Sequence, residues 1–440
     1  MPIRDAFVAL VLFAGVPVAF FRPVWGVLLY AMFGYLNPHR LTWGFAQNLP
    51  VAFYTALATM AGWVFYSGDR RLPVTREVIL MGLLWGLASV GWLTALNPQG
   101  FVADWSRYSK ILLMIFVAVS LIKTREDLRR LYWVIALSIG FYALKGAIWG
   151  MRGGTGWVFG PPGSFFEGNN GLGLAINMVW PLFLLMARNE RRPWLRLGLW
   201  LLFWVSPLTV ILTKSRASAL AMAVVGAILF LRVKRKGLFI VLGVTAALVL
   251  APFVPAEWYT RMKTVETYRE DPSAMGRINA WHAAWNLAVD RPLTGGGMNA
   301  FTREMIFRYA PNPEDYHDSH SIYFEILGEL GFPGLAVFLV LLLSTMAKLN
   351  KIKRVCAGNK DLAFFESYAD ATFLGLVGYA VNGAFVGMAY FDLYYQLVGL
   401  TVSLETVLTS ELWRTEDVSS SSYAPATEVP AMGSRWRTEI

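Results

Sequence analysis

Histidine is scarce in this chain, with four among 440 residues. One of them, His320, stands in Tyr316-His-Asp-Ser-His320-Ser at the start of a helical stretch. An imidazole exchanges its proton near neutral pH, which suits a general base; capping that helix or filling a core is the plainer use. The carboxylates of Glu325 and Glu329 on the same stretch are candidates for binding sugar hydroxyls, pairing with arginines or serving as a second base, and His317, three residues before His320, is a further substrate-binding candidate. Two arginines suggest anion binding. Arg277 opens a helix expected over Arg277–Val289, a poor place for a cation in the helix dipole but a good one for gripping an anion between guanidinium and free N–H groups; a solvated surface arginine is the alternative. Lys214-Ser-Arg216 occupies a nearly loop-free turn between two apolar runs. Charge so close to hydrocarbon is expensive and needs a partner, unless the side chains snorkel to lipid headgroups. In the Gly-rich stretch Gly160–Asn170, Glu167 with Asn169 or Asn170 can hydrogen-bond a sugar or simply close a turn.

Several function classes are poorly supported. There is no Gly-x-x-x-x-Gly-Lys-Ser/Thr loop to cradle a nucleotide and no His-Glu-x-x-His pair for zinc. His317 and His320 at i, i+3 come nearest to a metal pair, but with Asp318 between them they suit a hydrogen-bonded helix start better. We therefore expect no metal and no cofactor. The formal charge of +10 does not point to nucleic acid, because Lys and Arg lie mainly in short loops between apolar runs. The single cysteine, Cys356, excludes an internal disulfide.

The elements that must position these residues are membrane spans. The chain is 56% hydrophobic and 15% charged, against roughly 25% charged in a soluble domain. Apolar runs recur from residue 6 to about 410, and the clear ones are 49–67, 77–95, 109–122, 128–150, 170–187, 194–213, 217–232, 237–254, 320–348, 364–389 and 391–410. Basic clusters fall on alternate connections: Arg70, Arg71 and Arg76; Lys123 to Arg130; Arg188 to Arg196; Arg232 to Lys236, including Lys234; and Lys348 to Lys360. The alternation places them all in the cytoplasm and the remaining connections outside. Residues 6–36 make about 46 Å of helix, too long for one upright span and short for two, with Pro17 and Pro23 as breaks. A single bent crossing gives twelve spans and a cytoplasmic N-terminus, the count we expect; two crossings give thirteen. The apolar start after Arg4 lacks a small-residue cleavage site and reads as an uncleaved span.

The expected fold is an all-α polytopic membrane protein in four parts: an N-terminal bundle over 1–254, an outward segment over 255–319, C-terminal spans over 320–410 and a disordered cytoplasmic tail over 411–440. In the outward segment, Ile278, Trp281, Trp285 and Ala288 form a stripe suited to the lipid–water boundary, opposite Asn279, His282 and Asn286. Thr294-Gly-Gly-Gly297 reads as a flexible turn, and Gly331-Phe-Pro333 as a break before the span proper.

Taken in order, Ser215-Arg216-Ala-Ser, Gly276-Arg277-Ile-Asn-Ala-Trp281, Asp290-Arg-Pro-Leu-Thr-Gly-Gly-Gly297 and His320-Ser-Ile-Tyr-Phe-Glu-Ile-Leu-Gly-Glu-Leu-Gly331 resemble the O-antigen ligase and polymerase superfamily, which includes the lipid A–core O-antigen ligases. The N-terminal Tyr35-Leu-Asn-Pro-His39-Arg40-Leu-Thr-Trp-Gly44 is similar to a subgroup known as exosortase-associated O-glycosylation ligases. One departure concerns the subgroup: Ser321 stands where Asn commonly follows the superfamily histidine. The resemblance implies a bacterial inner-membrane glycosyltransferase with a periplasmic active site. It implies that a glycan moves as a block from undecaprenyl diphosphate to an acceptor hydroxyl, on lipid A–core sugar or on protein Ser/Thr, without metal or nucleotide. Carried over by residue, His320 matches the catalytic histidine and Arg216 and Arg277 the diphosphate-holding arginines, with Lys214, Glu325, Glu167, Asn170 and His317 as substrate-binding candidates. Lipids and the lipid-linked glycan are then the expected partners. A polysaccharide polymerase of the same superfamily is the first alternative, and a non-enzymatic transporter of lipid-linked glycans the second.

Overall fold

A computed structural model describes residues 3–154, 156–233, 235–263 and 271–421, so the expectation for Lys234 lies outside the described residues. Among those described there are helices and no strand. The α-helices are α1 (Ile3–Phe21), α2 (Pro23–Tyr35), α3 (Val51–Phe65), α4 (Arg76–Val90), α5 (Pro98–Leu121), α6 (Arg125–Met151), α7 (Asn169–Asn189) and α8 (Pro193–Leu212). They continue with α9 (Arg216–Arg232), α10 (Lys236–Leu250), α11 (Ala256–Lys263), α12 (Pro272–Asp290), α13 (Arg303–Tyr309), α14 (Ile322–Cys356), α15 (Ala363–Gly383) and α16 (Asp392–Ser421). Among the described residues, seven helices are long and apolar enough, by length and composition, to cross a membrane. The other runs expected to span are helical too, but shorter or more polar.

The connections gather at two ends of the bundle. At one end the basic loops meet: Lys123 Nζ donates to Arg71 O at 2.8 Å, Arg129 pairs with Glu190 at 2.9 Å, and Arg232 and Lys353 converge on Asp370. At the other end the 91–97 connection meets the segment after α12, through Asn97 Nδ2 donating to Asn299 Oδ1 at 2.9 Å. This second end also holds the turn before α9 and the start of α14. Helix α7 forms the centre, with Gly171 to Ala187 buried throughout. Small residues let α15 lie directly on it: a Cβ at Gly375 would meet Met178 O at 2.4 Å. Helix α10 is the opposite case, with no buried residue.

The first 36 residues differ from the single bent crossing expected. Pro17 stays inside α1, and the chain reverses at Arg22, with Pro23 at the first position of α2, where its missing N–H costs nothing. The two helices then lie side by side: Leu29 fits against Gly15, and Ala19 against Gly26. Asp5 is thereby buried at the end opposite the basic loops, where its Oδ1 accepts the Ala46 N–H at 2.9 Å. This hairpin goes with the two-crossing alternative, and its N-terminal end lies away from the basic connections. At the other terminus α16 continues to Ser421, past the expected start of the tail at 411; residues 422–440 lie outside the described residues.

The expected break at Gly331 is present and has a function in the architecture. Gly331 adopts φ 67° and ψ −167°, and Pro333 has no N–H to offer the Glu329 carbonyl. The Phe332 N–H turns away to Pro292 O at 3.0 Å, which also frees the Gly328 carbonyl. Gly296 N–H and Gly297 N–H take up these two acceptors at 2.8 and 2.9 Å. The Thr294–Gly297 turn is therefore a docked element whose glycines 295–297 are buried, rather than a flexible one.

Candidate functional site

This docking fixes α12 beside the start of α14. Helix α12 begins five residues before Arg277, at Pro272, and is capped by Asp271, whose side chain accepts the Ser273 N–H at 2.9 Å. Arg277 thus lies in the second turn rather than at the helix opening, and the dipole argument for it does not apply. The buried face of α12 is Gly276, Asn279, Ala280, Ala283, Ala284, Leu287 and Ala288. Of the expected stripe, Ala288 belongs to this face, while Ile278, Trp281 and Trp285 flank it. Asn279 faces inward because it ties down the following segment, donating to Asn312 O and Asp315 O at 2.8 and 3.0 Å and accepting the Asn312 N–H at 2.8 Å. Trp285 is exposed, whereas Trp281 is half-buried against protein. It stacks on Phe324 at 5.1 Å between centroids, and its Nε1 donates to Ser319 O at 2.7 Å.

Those contacts hold the backbone on both sides of His320. His320 has φ 42°, the left-handed region that non-glycine residues rarely occupy and that costs roughly 1–3 kcal/mol where it persists. Gly387, in the connection between α15 and α16, closes over it: a Cβ there would lie 3.4 Å from His320 N and 3.3 Å from Ser319 Oγ. Burial pushes the imidazole below the ordinary histidine value; the Asp318 carboxylate opposes this, while the Arg277 cation and His317 reinforce it. The imidazole is therefore neutral at pH 7 and has a lone pair to offer. The other histidines are placed differently. His39 is buried in the 37–50 connection, where burial and Arg40 push it down to about 4, and His282 is exposed on α12.

Arg216 follows the tight turn after α8. Ser215 caps α9 by accepting the Ser218 N–H, and Ser218 in turn accepts from Asn382 Nδ2 at 3.1 Å, linking this turn to the end of α15. The next residue of α15, Gly383, lies against Ile322 at the start of α14, so Arg216 and His320 are approached from the same helix end. Arg216 Nη1 meets Asp271 Oδ2 at 2.5 Å. Burial alone would raise the Asp271 pKa, but the Arg216 hydrogen bond and charge, with the Ser273 and Ala274 N–H groups, hold it below the usual range. Arg216 and the helix carrying Arg277 are thus joined through Asp271, a residue the sequence reading did not single out. Asp271-Pro272, a capping acid followed by proline, was the available signal. Lys214 is 8% exposed, adopts φ 54° and pairs with Glu257 at 3.5 Å. Asn169 Nδ2 fastens the same turn by donating to Thr213 O at 2.9 Å.

The remaining candidates are placed with equal definition. Glu325 Oε2 accepts the Ala389 N–H at 2.9 Å and lies beside Gly387, the glycine that also borders His320 N. Glu329 is buried and accepts the Asn299 N–H at 2.7 Å. His317 packs its ring against Gly276, next to Arg277, with Nδ1 2.8 Å from Asp315 Oδ1. Glu167 accepts the Gly163 N–H at 2.9 Å and so closes its own turn, while Asn170 lies half-buried in the first turn of α7. Among the described residues, no three His, Cys, Asp or Glu side chains come together as a metal site.

Comparison with known proteins agrees with the motifs. Residues 177–339 match a family described as O-antigen ligase, and residues 3–175 match a family of unknown function. The first match includes Lys214, Arg216, Arg277, His320, Glu325 and Glu329. A protein of Rickettsia felis described as a "putative polysaccharide ligase" is 25% identical over 221 residues. That similarity spans 47% of this chain and 52% of the relative, so the chain covers about half of that protein's length. With its apolar helices the chain is a multi-pass membrane protein, and over residues 177–339 it is similar to the O-antigen ligase family.

Proposed function

We propose that this protein is a glycan ligase that moves a glycan as a block from undecaprenyl diphosphate to an acceptor hydroxyl at the periplasmic face of the bacterial inner membrane. The observation that carries the reading is a conformationally constrained His320 under Gly387, with His317 packed against the Arg277 helix, in a corner that also holds Arg216. In this reading the basic end faces the cytoplasm, the chain crosses thirteen times, and residues 255–319 lie outside over the 1–254 and 320–410 bundle.

The chemistry follows from the placement. His320 takes the proton from the acceptor hydroxyl as its oxygen attacks the anomeric carbon, and the bond from that carbon to the diphosphate breaks. Such proton transfer contributes roughly 10²–10⁴-fold. The leaving diphosphate gains charge as the bond breaks, and Arg216 and Arg277 stabilise it in partly dehydrated surroundings. Lys214, buried beside Arg216, adds a third cation. Glu325 and His317 line the same corner toward acceptor and sugar, and Glu167 and Asn170 border it from the 152–170 side. Direct displacement inverts the anomeric configuration, and a retained configuration in the product would sink this step. The leaving group supplies the driving force, so neither metal nor nucleotide enters.

Transfer by purified protein from a lipid-diphosphate-linked glycan, in EDTA and without nucleotide, tests the reading. Activity toward a lipid A–core or protein acceptor, lost in His320→Ala while donor binding survives, supports it. Longer carrier-linked glycan with no transfer to an acceptor would make the protein a polymerase, and unaltered substrate on the far side would make it a transporter.

A further inference from the structure

A cavity of about 1100 Å³ lies at the basic end, away from His320, between the ends of α2, α6, α7 and α8 and the start of α15. Its walls are ordered the same way on every helix. At the rim stand Arg125, Arg129 and Arg130 of α6, Arg191 and Arg192 between α7 and α8, and Lys360 before α15. One to two turns further into the bundle the lining becomes apolar: Leu28 and Met32 on α2, Trp133 and Val134 on α6, and Met186 on α7. Met32 lies seven residues beyond Trp25, or about 10 Å along the helix axis. The cavity is thus cationic at the level of the loops and hydrocarbon-like where the membrane interior begins.

Its cations fall into two groups. Three have protein partners: Arg125 with Glu411, Arg129 with Glu190 at 2.9 Å, and Arg130 with Glu126 and Asp127 at 3.2 and 3.1 Å. The guanidiniums of Arg191 and Arg192 and the ammonium of Lys360 are exposed and have no ion pair among the described residues, and Asp361 is the one further carboxylate on this rim. Trp25, with the Arg130 guanidinium 5.1 Å from its ring centroid, and Trp133 stand where the polar and apolar portions meet, the level that tryptophan prefers at a bilayer surface.

We propose that this cavity binds an anionic phospholipid, with its phosphate on Arg191, Arg192 and Lys360 and its acyl chains along the α2 and α6 wall. Charge complementarity at the rim, the apolar wall beneath it and the tryptophans between them match one amphiphile in one orientation. A free phosphate would use only the rim, and a peptide would leave the wall without acyl chains. The inference concerns the end opposite His320 and stands independently of the ligase reading.

The test uses the full-length protein, purified in detergent and stripped of lipid, with bound lipid counted by native mass spectrometry. Phosphatidylglycerol and phosphatidylcholine share the phosphate and tails but differ in net charge. We expect one phosphatidylglycerol to be retained at concentrations where phosphatidylcholine is not. Arg191→Gln with Arg192→Gln should weaken that binding roughly thirtyfold, at about 1 kcal/mol per cation near the surface, with thermal stability unchanged. Arg196→Gln, one turn away and outside the cavity, should leave it intact. Equal retention of both lipids, or equal loss in Arg196→Gln, would overturn the proposal. Displacement by millimolar inorganic phosphate would reassign the rim to a free anion, and preference for undecaprenyl phosphate would reassign the cavity to the carrier lipid; either result would also overturn it.

Discussion

The two ends of the bundle use the same side chains in different ways. At the basic end, the charge packed between helices is matched locally, in contrast to the exposed cavity rim: Lys348 reaches both Glu77 and Glu405, Arg232 and Lys353 share Asp370, and Arg129 holds Glu190. The backbone there is relaxed. At the opposite end lie all four described non-glycine residues with positive φ, namely Asn37, Lys214, Asn299 and His320. Two of them are candidate site residues, and the cations around them are half-buried or buried. Strain persists only where surrounding contacts enforce it. The comparison teaches that arginine counts do not separate a site from a scaffold, whereas backbone strain combined with burial does.

The sharpest way to break the comparison is at His320. His320→Ala should lower the transfer rate by about 10²–10⁴-fold with the fold intact, measured by product formation alongside thermal unfolding. Arg216→Ala and Arg277→Ala come next, each costing about 10²–10³-fold, with substrate affinity falling less than turnover if the contacts tighten as the diphosphate leaves. Arg216→Ala also takes away the partner of Asp271, so Asp271→Asn is the control that reads the helix-cap contribution separately. Backbone substitutions test the docking between the two regions. Gly331→Ala and Gly295→Ala place a Cβ at positive φ, 2.4 Å from Pro292 O and 2.5 Å from Gly328 O, and should each cost at least roughly 1–3 kcal/mol by thermal unfolding in detergent.

The pH profile sharpens the contrast further. The folded pKa of His320 lies below the ordinary histidine value, so the base form persists through neutral pH. Transfer should be flat above pH 7 and decline only in acid, and a decline beginning above pH 7 would remove His320 as the base. The same shift has a stability consequence. As pH falls through about 6.5 the unfolded chain takes up this proton before the folded one does, so stability is lost from there downward. The smallest effect is expected at the basic end. Glu126→Gln loosens an exposed i, i+4 pair with Arg130 and should change stability by no more than about 0.5 kcal/mol, with transfer unaltered.

Much of this arrangement was legible in the sequence, because hydrophobic run length and alternating basic loops are strong local signals. The eleven clear runs each contain a helix, and the break at Gly331-Phe-Pro333 occurs where glycine and proline demand it. The first 36 residues misled because two prolines offered two breaks, and only packing decides between them: Pro17 is tolerated in the helix, whereas Pro23 starts a new one. Arg277 was misplaced within its helix because the apolar period begins later than the cap. The stacking of Trp281 on Phe324 and the joining of Arg216 to α12 through Asp271 were out of reach, since each pairs residues dozens of positions apart with no local signature.

The broken helix α14 has one more consequence. The segment after α12 is clasped to α14 by three N–H groups and three carbonyls, and main-chain atoms carry no information about side-chain identity. Substitutions on its exposed faces can therefore change its surface without breaking these main-chain bonds, provided Gly295, Gly331 and Pro333 keep their backbone geometry. Side chains add their own hold, since the Glu329 carboxylate accepts the Asn299 N–H and Trp281 stacks on Phe324, so the mount is fixed while the exposed surface above it is exchangeable.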